Sequence, residues 1–255
     1  MGSLTETNIS FKTILNFRDA GGLPAMDGRI MKTGMIFRSA TPDNLGRREV
    51  QKLHNLNIRT IIDLRGPNED GERKNRFDEI EVISLPLDFE GETRRRMMPF
   101  FYEKNSLDKI AEISAELYLE ILDASVPVFR NVVEILLTPG KSPVLIHCKA
   151  GKDRTGIMIA LIHMALDIKR EAIIDNFMKS NEELIPFFRE KLLLRRILSF
   201  GFFPADAVMF AVTVRKENIE AVIDRVNNHY GGIASFLNDP AGEKIKKLKD
   251  LYLVN

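Results

Sequence analysis

Residues 144–156 have the sequence VLIHCKAGKDRTG, in which a short apolar run leads to the only cysteine of the chain and then to a glycine-containing loop. The apolar run is too short for a helix and is typical of a central strand buried on both faces. A helix is expected to begin near Arg154. Such a turn from strand to helix directs successive backbone N–H groups into one concavity, at the positive end of the helix dipole. The segment therefore predicts a binding site for an oxyanion of phosphate size.

Two side chains of this loop indicate its chemistry. The loop N–H groups and the helix dipole favour the ionised, nucleophilic form of Cys148. Arg154 carries a planar guanidinium that can hold two phosphate oxygens at once. A thiolate inside an anion-binding loop indicates phosphoryl transfer through a phosphocysteine intermediate, with the loop N–H groups and Arg154 stabilising the equatorial oxygens. We therefore predict a phosphoric monoester hydrolase whose catalytic residues include Cys148 and Arg154.

The other loop residues are predicted to bind the substrate or to support the site. The Thr155 hydroxyl can donate a hydrogen bond to the sulfur when the sulfur leaves, and the ring N–H groups of His147 can orient the loop. Glycines permit the tight turn and close packing of the helix. Substrate contacts are expected from Lys149, Ala150, Gly151, Lys152, Asp153 and Thr155, and support from His147, Gly156 and Asp63.

Two other interpretations of the loop are less consistent with its residues. A cysteine at the end of an apolar strand is often an inert small hydrophobic side chain. Eight specified positions between residues 147 and 156 make a chance match to a nucleophilic loop negligible. The Walker A loop is a different phosphate-binding loop, and it is absent because Ile146 is not glycine and Asp153 stands where serine or threonine is needed.

The pattern His-Cys-x5-Arg-Thr-Gly resembles the signature of the cysteine-dependent protein tyrosine phosphatase superfamily. The chain is similar to the atypical bacterial tyrosine and lipid phosphatase branch, of the mycobacterial PtpB type, from about Asn16 to Leu237. Besides the loop, the matching segments are residues 16–19, 37–39, 63–65, 85–88, 180–181 and 230–232. The resemblance implies a protein tyrosine phosphatase, with dual specificity and phosphoinositide hydrolysis as further activities. Its expected partners are phosphorylated protein or phosphoinositide substrates.

The loop also resembles that of the tensin-type lipid phosphatases, whose paired lysines meet additional phosphates on an inositol ring. Lys149 and Lys152 occupy the matching positions. Asp153 stands where those lipid phosphatases have glycine, so their specificity does not transfer directly. A polyphosphorylated substrate is one interpretation of the two lysines, and an ion pair with a neighbour is the other for Lys152.

The leaving oxygen needs a proton from an aspartate or glutamate, which contributes about 10²–10⁴ to the rate. By resemblance, Asp88 matches the aspartate assigned as the acid in the atypical bacterial branch. Asp153 lies beside Arg154 and can serve as acid, as a base that positions water, or as a structural partner. Asp63 ends a predicted strand, where α/β sites often gather, or forms an ion pair with Arg65. The assignment of the acid stays open between Asp88 and Asp153.

The rest of the chain predicts an α/β fold around this loop. Strands are expected at residues 35–39, 58–64 and 80–85, with a helix at 43–55 that makes a parallel βαβ unit. Two helices are expected before the loop, from about residue 106 and over 126–137. After it, helices are expected at 155–167, 170–180, 182–199, 205–212, 215–229 and 240–252. The prediction is a central, mostly parallel sheet of four to five strands flanked by helices. We expect a single domain over residues 1–255, with an α/β core at about 11–180 and a helical C-terminal elaboration at about 181–255.

Composition excludes several classes of protein. The chain has 37 Lys and Arg against 36 Asp and Glu, so its net charge of +1 gives no global reason to expect a nucleic-acid partner. One cysteine excludes an intramolecular disulfide and favours a reducing compartment. The longest strongly apolar run, residues 157–166, is half of the roughly 20 residues that span a bilayer, and no signal pattern begins the chain. We expect a cytoplasmic protein without integral membrane association, without a metal and without a cofactor.

Residues 94–101 place three arginines beside a Met-Met-Pro-Phe-Phe cluster. This segment is typical either of a lid that recognises acidic headgroups or presses on a membrane surface, or of an exposed turn leading into a helix. Two other functions stay open: a catalytically weak module that binds phosphorylated ligands, and a sulfur-transfer or arsenate-reducing enzyme. The single cysteine disfavours arsenate reduction within one chain, because that reaction needs further thiols to relay electrons.

Overall fold

The computed structural model describes residues 11–69, 77 and 79–255. Its main sheet has five strands in the order β1-β3-β6-β4-β5, of which β3, β4, β5 and β6 are parallel and β1 is antiparallel to β3. A smaller sheet pairs β2 with β7. The strands are β1 (Arg18–Asp19), β2 (Ile30–Met31), β3 (Ile36–Ser39), β4 (Thr60–Asp63), β5 (Glu81–Ser84), β6 (Val144–His147) and β7 (Leu253–Val254). The predicted mostly parallel sheet is confirmed.

Ten α-helices are found in the described part of the chain. They are α1 (Arg47–Asn55), α2 (Glu90–Phe101), α3 (Leu107–Leu137), α4 (Asp153–Ala165), α5 (Arg170–Met178), α6 (Ser180–Leu198), α7 (Ala205–Val212), α8 (Lys216–Asn228), α9 (Ile233–Leu237) and α10 (Glu243–Tyr252), with a 3₁₀ turn at Pro67–Glu69. The helical C-terminal part is confirmed, with helix ends shifted by a few residues. Among these residues, no helix is both long and apolar enough to cross a lipid bilayer.

Side chains of the central strands point alternately to two apolar clusters, one on each face of the sheet. Ile62 of β4 and Ile146 of β6 belong to the larger cluster, together with residues of α3, α4, α8 and α10. Ile61 and Leu145, the adjacent positions, belong to the smaller cluster beside α1. Burial on both faces explains why these strands are continuous apolar runs without polar alternation.

β6 lies in the middle of the main sheet, and this position brings the predicted loop to a crowded edge. His147 at its carboxyl end lies in register with Ser39 of β3 and Asp63 of β4. Because parallel strands bring their carboxyl ends to the same edge, the chain segments after β3, β4 and β6 emerge side by side. That edge is where ligands bind in open α/β sheets.

The prediction of two separate helices between residues 106 and 137 is wrong, because α3 is one helix of 31 residues. Pro127 lies inside it and cannot donate a backbone hydrogen bond to the preceding turn. The helix nevertheless continues, since Leu122 and Phe129 on either side of the proline are fully buried. Tertiary packing outweighs the local preference of proline. The short elements β1, β2, β7 and α9 were not predicted at all.

Candidate active site

The loop between β6 and α4 begins with Cys148, which is buried in the described structure. Gly151 has φ +67°, and a Cβ there would collide with the backbone carbonyl of Ser39. At Gly156, inside α4, a Cβ would lie 2.7 Å from the Phe177 ring. The loop therefore lies so close to β3, and α4 so close to α5, that these positions leave no room for a side chain.

The loop carbonyls are held from outside the concavity. The Gly151 carbonyl accepts hydrogen bonds from the Arg38 guanidinium at 2.8 Å and from the Asn16 side-chain amide at 2.7 Å. The Lys149 carbonyl accepts one from the Thr41 N–H at 3.1 Å. In a trans peptide the C=O and the next N–H point in opposite directions. In both cases the following N–H group is thus turned away from these partners.

Two arginines lie under the loop, Arg38 fully buried and Arg18 half-buried. The Ser180 hydroxyl is 3.0 Å from the Arg18 guanidinium and 3.4 Å from that of Arg38, and Arg18 also donates to the Asn176 carbonyl at 2.8 Å. Burial lowers the pKa of Arg18 to about 10, against the opposing charge of Glu183. Burial and then the charge of Arg18 lower the pKa of Arg38 well below its ordinary value. Positive charge beneath the loop favours an anion above it.

Arg154 is buried and is held by a carboxylate that the sequence analysis missed. Its guanidinium pairs with both carboxylate oxygens of Glu69, with Nη2 2.7 Å from Oε2, and it donates to the Leu87 carbonyl at 3.0 Å. Burial alone would lower the pKa of Arg154, but the Glu69 hydrogen bonds and the negative charges of Cys148 and Glu69 raise it. Glu69 lies in the 3₁₀ turn after β4, where no sequence motif marked it.

The supporting residues His147 and Asp63 form a buried group behind the cysteine. The His147 Nδ1 atom lies 3.2 Å from the Cys148 carbonyl, and Nε2 lies 3.8 Å from Asp63 Oδ1. Burial lowers the pKa of His147, although Asp63 opposes this. Asp63 also binds Arg65, with Nη2 2.8 Å from Oδ2. The structure thus gives Asp63 an ion pair and places the His147 ring against the first loop carbonyl.

The two candidate acids occupy different surroundings. Asp153 lines a cavity together with Cys148, accepts a hydrogen bond from the Tyr118 hydroxyl, and lies 2.7 Å from Lys152 Nζ. Burial, followed by the charge of Asp153, raises the pKa of Tyr118 well above its ordinary value. Asp88 is exposed, packs against Gly66 and is not among the residues that line the cavity.

The cavity has a volume of about 330 Å³ and a roof of two helices that the loop motif did not indicate. Thr93, Arg94, Met97, Met98 and Phe101 of α2 form one side, and Val208, Ala211 and Val212 of α7 form the other. Facing them are 148–150 and 152–154 of the loop and the start of α4. Its lining is a charged floor beneath a largely apolar roof, which suits a phosphate attached to an apolar group.

The segment 94–101, predicted as a lid or an exposed turn, forms the last eight residues of α2. Its three arginines differ: Arg95 pairs with Glu92 at 2.6 Å, and Arg96 pairs with Glu120 at 2.8 Å and with Glu116. Arg94 lines the cavity, its Nε lies 3.3 Å from Met98 Sδ, and it makes no ion pair with a described carboxylate.

Lys149 and Lys152 are both engaged by acidic side chains. Lys149 Nζ lies 2.5 Å from Glu90 of α2, and Lys152 Nζ lies 2.7 Å from Asp153. A substrate phosphate would have to compete with these carboxylates. In the part of the chain that the structure describes, no group of three His, Cys, Asp or Glu side chains could hold a metal ion.

Over most of its length the chain is similar to proteins described as tyrosine phosphatases. A family model described as "Tyrosine phosphatase family" matches residues 9–254. The chain is 25% identical to a putative tyrosine-protein phosphatase of Cupriavidus necator, over 96% of this chain and 88% of that protein. It is 27% identical to the triple specificity protein phosphatase PtpB of Mycobacterium tuberculosis, over 88% of this chain and 90% of that protein.

Solved structures with detectable similarity are more distant. The core catalytic domain of the PP-IP phosphatase Siw14 from S. cerevisiae is 18% identical, with a TM-score of 0.42, over 81% of this chain and 94% of that one. TpbA of P. aeruginosa is 18% identical, with a TM-score of 0.34, over 59% of this chain and 71% of that one.

Proposed function

This chain belongs to the tyrosine phosphatase family, and we propose that Cys148 is the nucleophile with which it hydrolyses phosphoric monoesters. The chain is a cysteine-dependent protein tyrosine phosphatase. The observation that carries the assignment is the position of Cys148 in the cavity, at the start of a loop in which the Lys149 and Gly151 carbonyls are held by residues outside the loop. Within the described part of the chain, the backbone N–H groups of residues 149–155 donate no hydrogen bond, so they are available to an anion.

The proposed reaction has two steps. In the first, the Cys148 thiolate attacks phosphorus, an S–P bond forms, the P–O bond to the leaving group breaks, and the leaving oxygen takes a proton from an acid. In the second, water attacks phosphorus, the S–P bond breaks, and inorganic phosphate leaves with the thiolate restored. The loop N–H groups and Arg154 stabilise the equatorial oxygens in both steps. The Thr155 hydroxyl, buried and without a described hydrogen-bond partner, is suited to donate to the departing sulfur.

Replacing Cys148 tests this mechanism directly. Cys148→Ser should lower turnover of p-nitrophenyl phosphate by at least about 10⁴-fold, because a serine hydroxyl in this loop is a far weaker nucleophile. Binding of orthovanadate or phosphate, measured by calorimetry, should change little, since the loop N–H groups and Arg154 remain. Turnover retained by the variant in the presence of EDTA would refute the mechanism. Tight phosphate binding by a wild-type chain without turnover would instead support a binding module.

We assign the acid–base role to Asp153. It lines the cavity beside Cys148, and the Tyr118 hydroxyl and Lys152 fix its carboxylate. In the first step Asp153 gives its proton to the leaving oxygen, and the carboxylate that results activates water for the second step. Asp88, the match by resemblance, follows the Leu87 carbonyl that binds Arg154 but lies outside the cavity lining.

The dependence of turnover on the leaving group shows whether Asp153 or Asp88 is the acid. Asp153→Asn should lower turnover of phenyl phosphate, which has a poor leaving group, by about 10²–10⁴, and that of p-nitrophenyl phosphate by less. Asp88→Asn is the matched control and should affect both substrates equally and slightly. The opposite pattern would assign the acid to Asp88.

For substrates, we propose phosphotyrosine proteins first, with phosphoserine, phosphothreonine and phosphoinositides as further substrates. The triple specificity named for the mycobacterial relative supports this breadth. Because Lys149 and Lys152 are paired with carboxylates, we assign contact with a second acidic group of the substrate to Arg94. Arg94→Ala should then lower kcat/KM for a phosphoinositide more than for a phosphotyrosine peptide. Arg95→Ala, paired with Glu92 and outside the cavity lining, is the control; equal losses on both substrates would refute the role of Arg94.

The larger apolar cluster supports our proposal that the chain is one phosphatase domain. It joins Ile62 and Ile146 of the sheet to Val222 of α8 and Leu248 of α10, so the C-terminal helices share a core with the sheet. A nucleophilic cysteine must also stay reduced to act. The lone cysteine therefore supports a reducing compartment, the cytoplasm, as the place of action.

A further inference from the structure

The junction of α6 and α7 carries the largest run of exposed apolar side chains in the described part of the chain. Six large apolar residues between positions 193 and 202 are more than half exposed, and Phe200 and Phe202 are 92% and 83% exposed. We call residues 193–202 the hairpin tip. A contiguous apolar surface of this kind is unusual on a monomeric protein and marks an interaction site. The six residues are Leu193, Leu194, Ile197, Leu198, Phe200 and Phe202.

Basic side chains accompany this apolar surface. Residues 189–202 contain Arg189, Lys191, Arg195 and Arg196 but only one acidic residue, Glu190, and all five are exposed. The one ion pair found here in the described structure is a 3.5 Å contact between Arg196 and Asp206, both on the surface. Exposed pairs of this kind contribute little energy. The positive charge of residues 189–196, at and beside the hairpin tip, is therefore largely available to a partner.

We propose that the hairpin tip docks on the surface of an anionic lipid membrane. Phe200, Phe202 and Leu198 enter the boundary between headgroups and acyl chains, while the neighbouring arginines and lysine bind lipid phosphates. Interleaved aromatic, leucine and basic residues are the composition of interfacial membrane-binding segments. A second copy of the chain is a poorer occupant, because a two-fold interface would place the same four positive charges opposite each other.

A second segment extends the docking surface. Met98 and Tyr102, near the end of α2, are also exposed. Residues 101–107 and 201–207 line one shared depression, so the end of α2 adjoins the hairpin tip. The proposed membrane-binding face thus combines the α6–α7 junction with the end of α2.

Docking has a consequence for the cavity that rests on the proposed function. α7 starts three residues after the tip and has eight residues, and its Val208, Ala211 and Val212 line the active-site cavity. A helix of that length rises roughly 12 Å. The docked enzyme would therefore hold its cavity close to the bilayer surface, where phosphorylated headgroups and membrane-bound phosphoproteins are concentrated.

Vesicle flotation with the full chain tests the proposal independently of catalysis. We expect binding to vesicles that contain phosphatidylglycerol and little binding to vesicles of phosphatidylcholine alone, with added salt weakening the association. Phe200→Ser with Phe202→Ser should weaken binding at least about tenfold, because two aromatic side chains no longer enter the bilayer. Met26→Ser is the matched control, since Met26 is 70% exposed and lies outside the docking surface.

Three outcomes of the flotation experiment would contradict membrane docking. Equal vesicle binding by the wild type and the Phe200/Phe202 variant would overturn the proposal, as would a wild type that floats with neither vesicle. Concentration-dependent dimers that the same substitutions abolish, without lipid binding, would assign the surface to a second copy. Circular dichroism and turnover of p-nitrophenyl phosphate show whether the variant is folded. Cys148→Ser should still float, so failure of the phosphatase mechanism and failure of docking are distinguishable.

Discussion

The floor and the roof of the cavity are built by different means. Beneath the loop, Arg38 and Asn16 are completely buried, and their hydrogen bonds fix the backbone of the loop. Above it, α2 and α7 contribute half-buried or exposed side chains such as Arg94 and Val208, and the chain that leads to α7 is apolar and open to solvent. Close packing and hydrogen bonds therefore hold the side chains and backbone of the floor in a single arrangement. We infer that the floor performs the chemistry and that the roof selects and locates the substrate.

Among substitutions that leave the reacting groups of the floor in place, Gly151→Ala has the largest expected effect. The new methyl group would collide with the Ser39 carbonyl and would sit at a positive φ. A positive φ costs alanine about 1–2 kcal/mol, and the collision adds about 1–3 kcal/mol. A displacement of about 1 Å in the loop should also lower kcat/KM by about 10²-fold. Urea unfolding and p-nitrophenyl phosphate turnover measure the two effects.

Gly140→Ala is the control for this substitution. Gly140 has φ +81° and open space around its Cα, so alanine there meets the cost of φ without a collision. Should the two variants lose the same stability and activity, the floor would be more pliable than the contacts indicate, and the contrast with the roof would fail.

Glu69→Gln probes the floor more gently. The substitution keeps the shape of the side chain but removes the charge that holds Arg154, so the guanidinium loses its fixed position. We expect kcat/KM to fall about tenfold to a hundredfold, less than the 10²–10³ typical of removing a transition-state donor. Orthovanadate affinity should fall in parallel, which a purely structural role would not require. Glu81→Gln, on the exposed edge strand β5, is the control and should leave both quantities unchanged.

The ion pair between Glu69 and Arg154 predicts that the free energy of unfolding decreases at acidic pH. Burial would raise the pKa of Glu69, but hydrogen bonds from Arg154 and the Gly66 N–H lower it below its ordinary value of 4.5. Because the folded pKa is the lower one, the pair contributes fully above pH 4.5 and its contribution is lost as the pH falls through the folded value. Urea unfolding as a function of pH should therefore be flatter below pH 4.5 in Glu69→Gln than in the wild type. Identical profiles would exclude the linkage.

The smallest expected effect belongs to the roof. Val208→Ala shortens a cavity-lining side chain of α7, so KM for a phosphotyrosine peptide should rise by up to about tenfold. Turnover of the small p-nitrophenyl phosphate should change by less than about threefold, since the floor is untouched. Met209→Ala, on the same helix but outside the cavity lining, is the control. A large loss of turnover on the small substrate would show that the roof takes part in the chemistry.

The sequence predicts the floor better than the roof, for a physical reason. Strand, loop and helix are contiguous from Val144 to Ala165, so local pattern alone places Cys148 and Arg154. Glu69 lies 85 positions before its partner Arg154 in the sequence, and Tyr118 lies 35 positions before its partner Asp153. The fold brings such distant residues together, and no local sequence pattern indicates that they will be in contact.

The sequence predicts the roof poorly, because tertiary packing determines where its helices form and which residues they cover. Residues 94–101 have a mixed basic and apolar composition that gives no clear period, yet burial of Met97 against α3 helps to form a helix there. The helix at 205–212 was predicted with the correct bounds, but nothing in its sequence indicated that it covers the loop. The division of residues 107–137 into two helices was wrong for a similar reason, since the buried helix α3 continues through Pro127.

Asn16 lies far upstream of the catalytic loop, and this position sets a limit on trimming the protein. A shortened chain that begins at β2 would still contain every residue from His147 to Gly156. It would lack the amide that holds the Gly151 carbonyl and the Arg18 guanidinium that shares the Ser180 hydroxyl. The activity of such a fragment would be lower than that of the full chain. Its loop would have the complete sequence, but the Gly151 carbonyl would be free to turn inward.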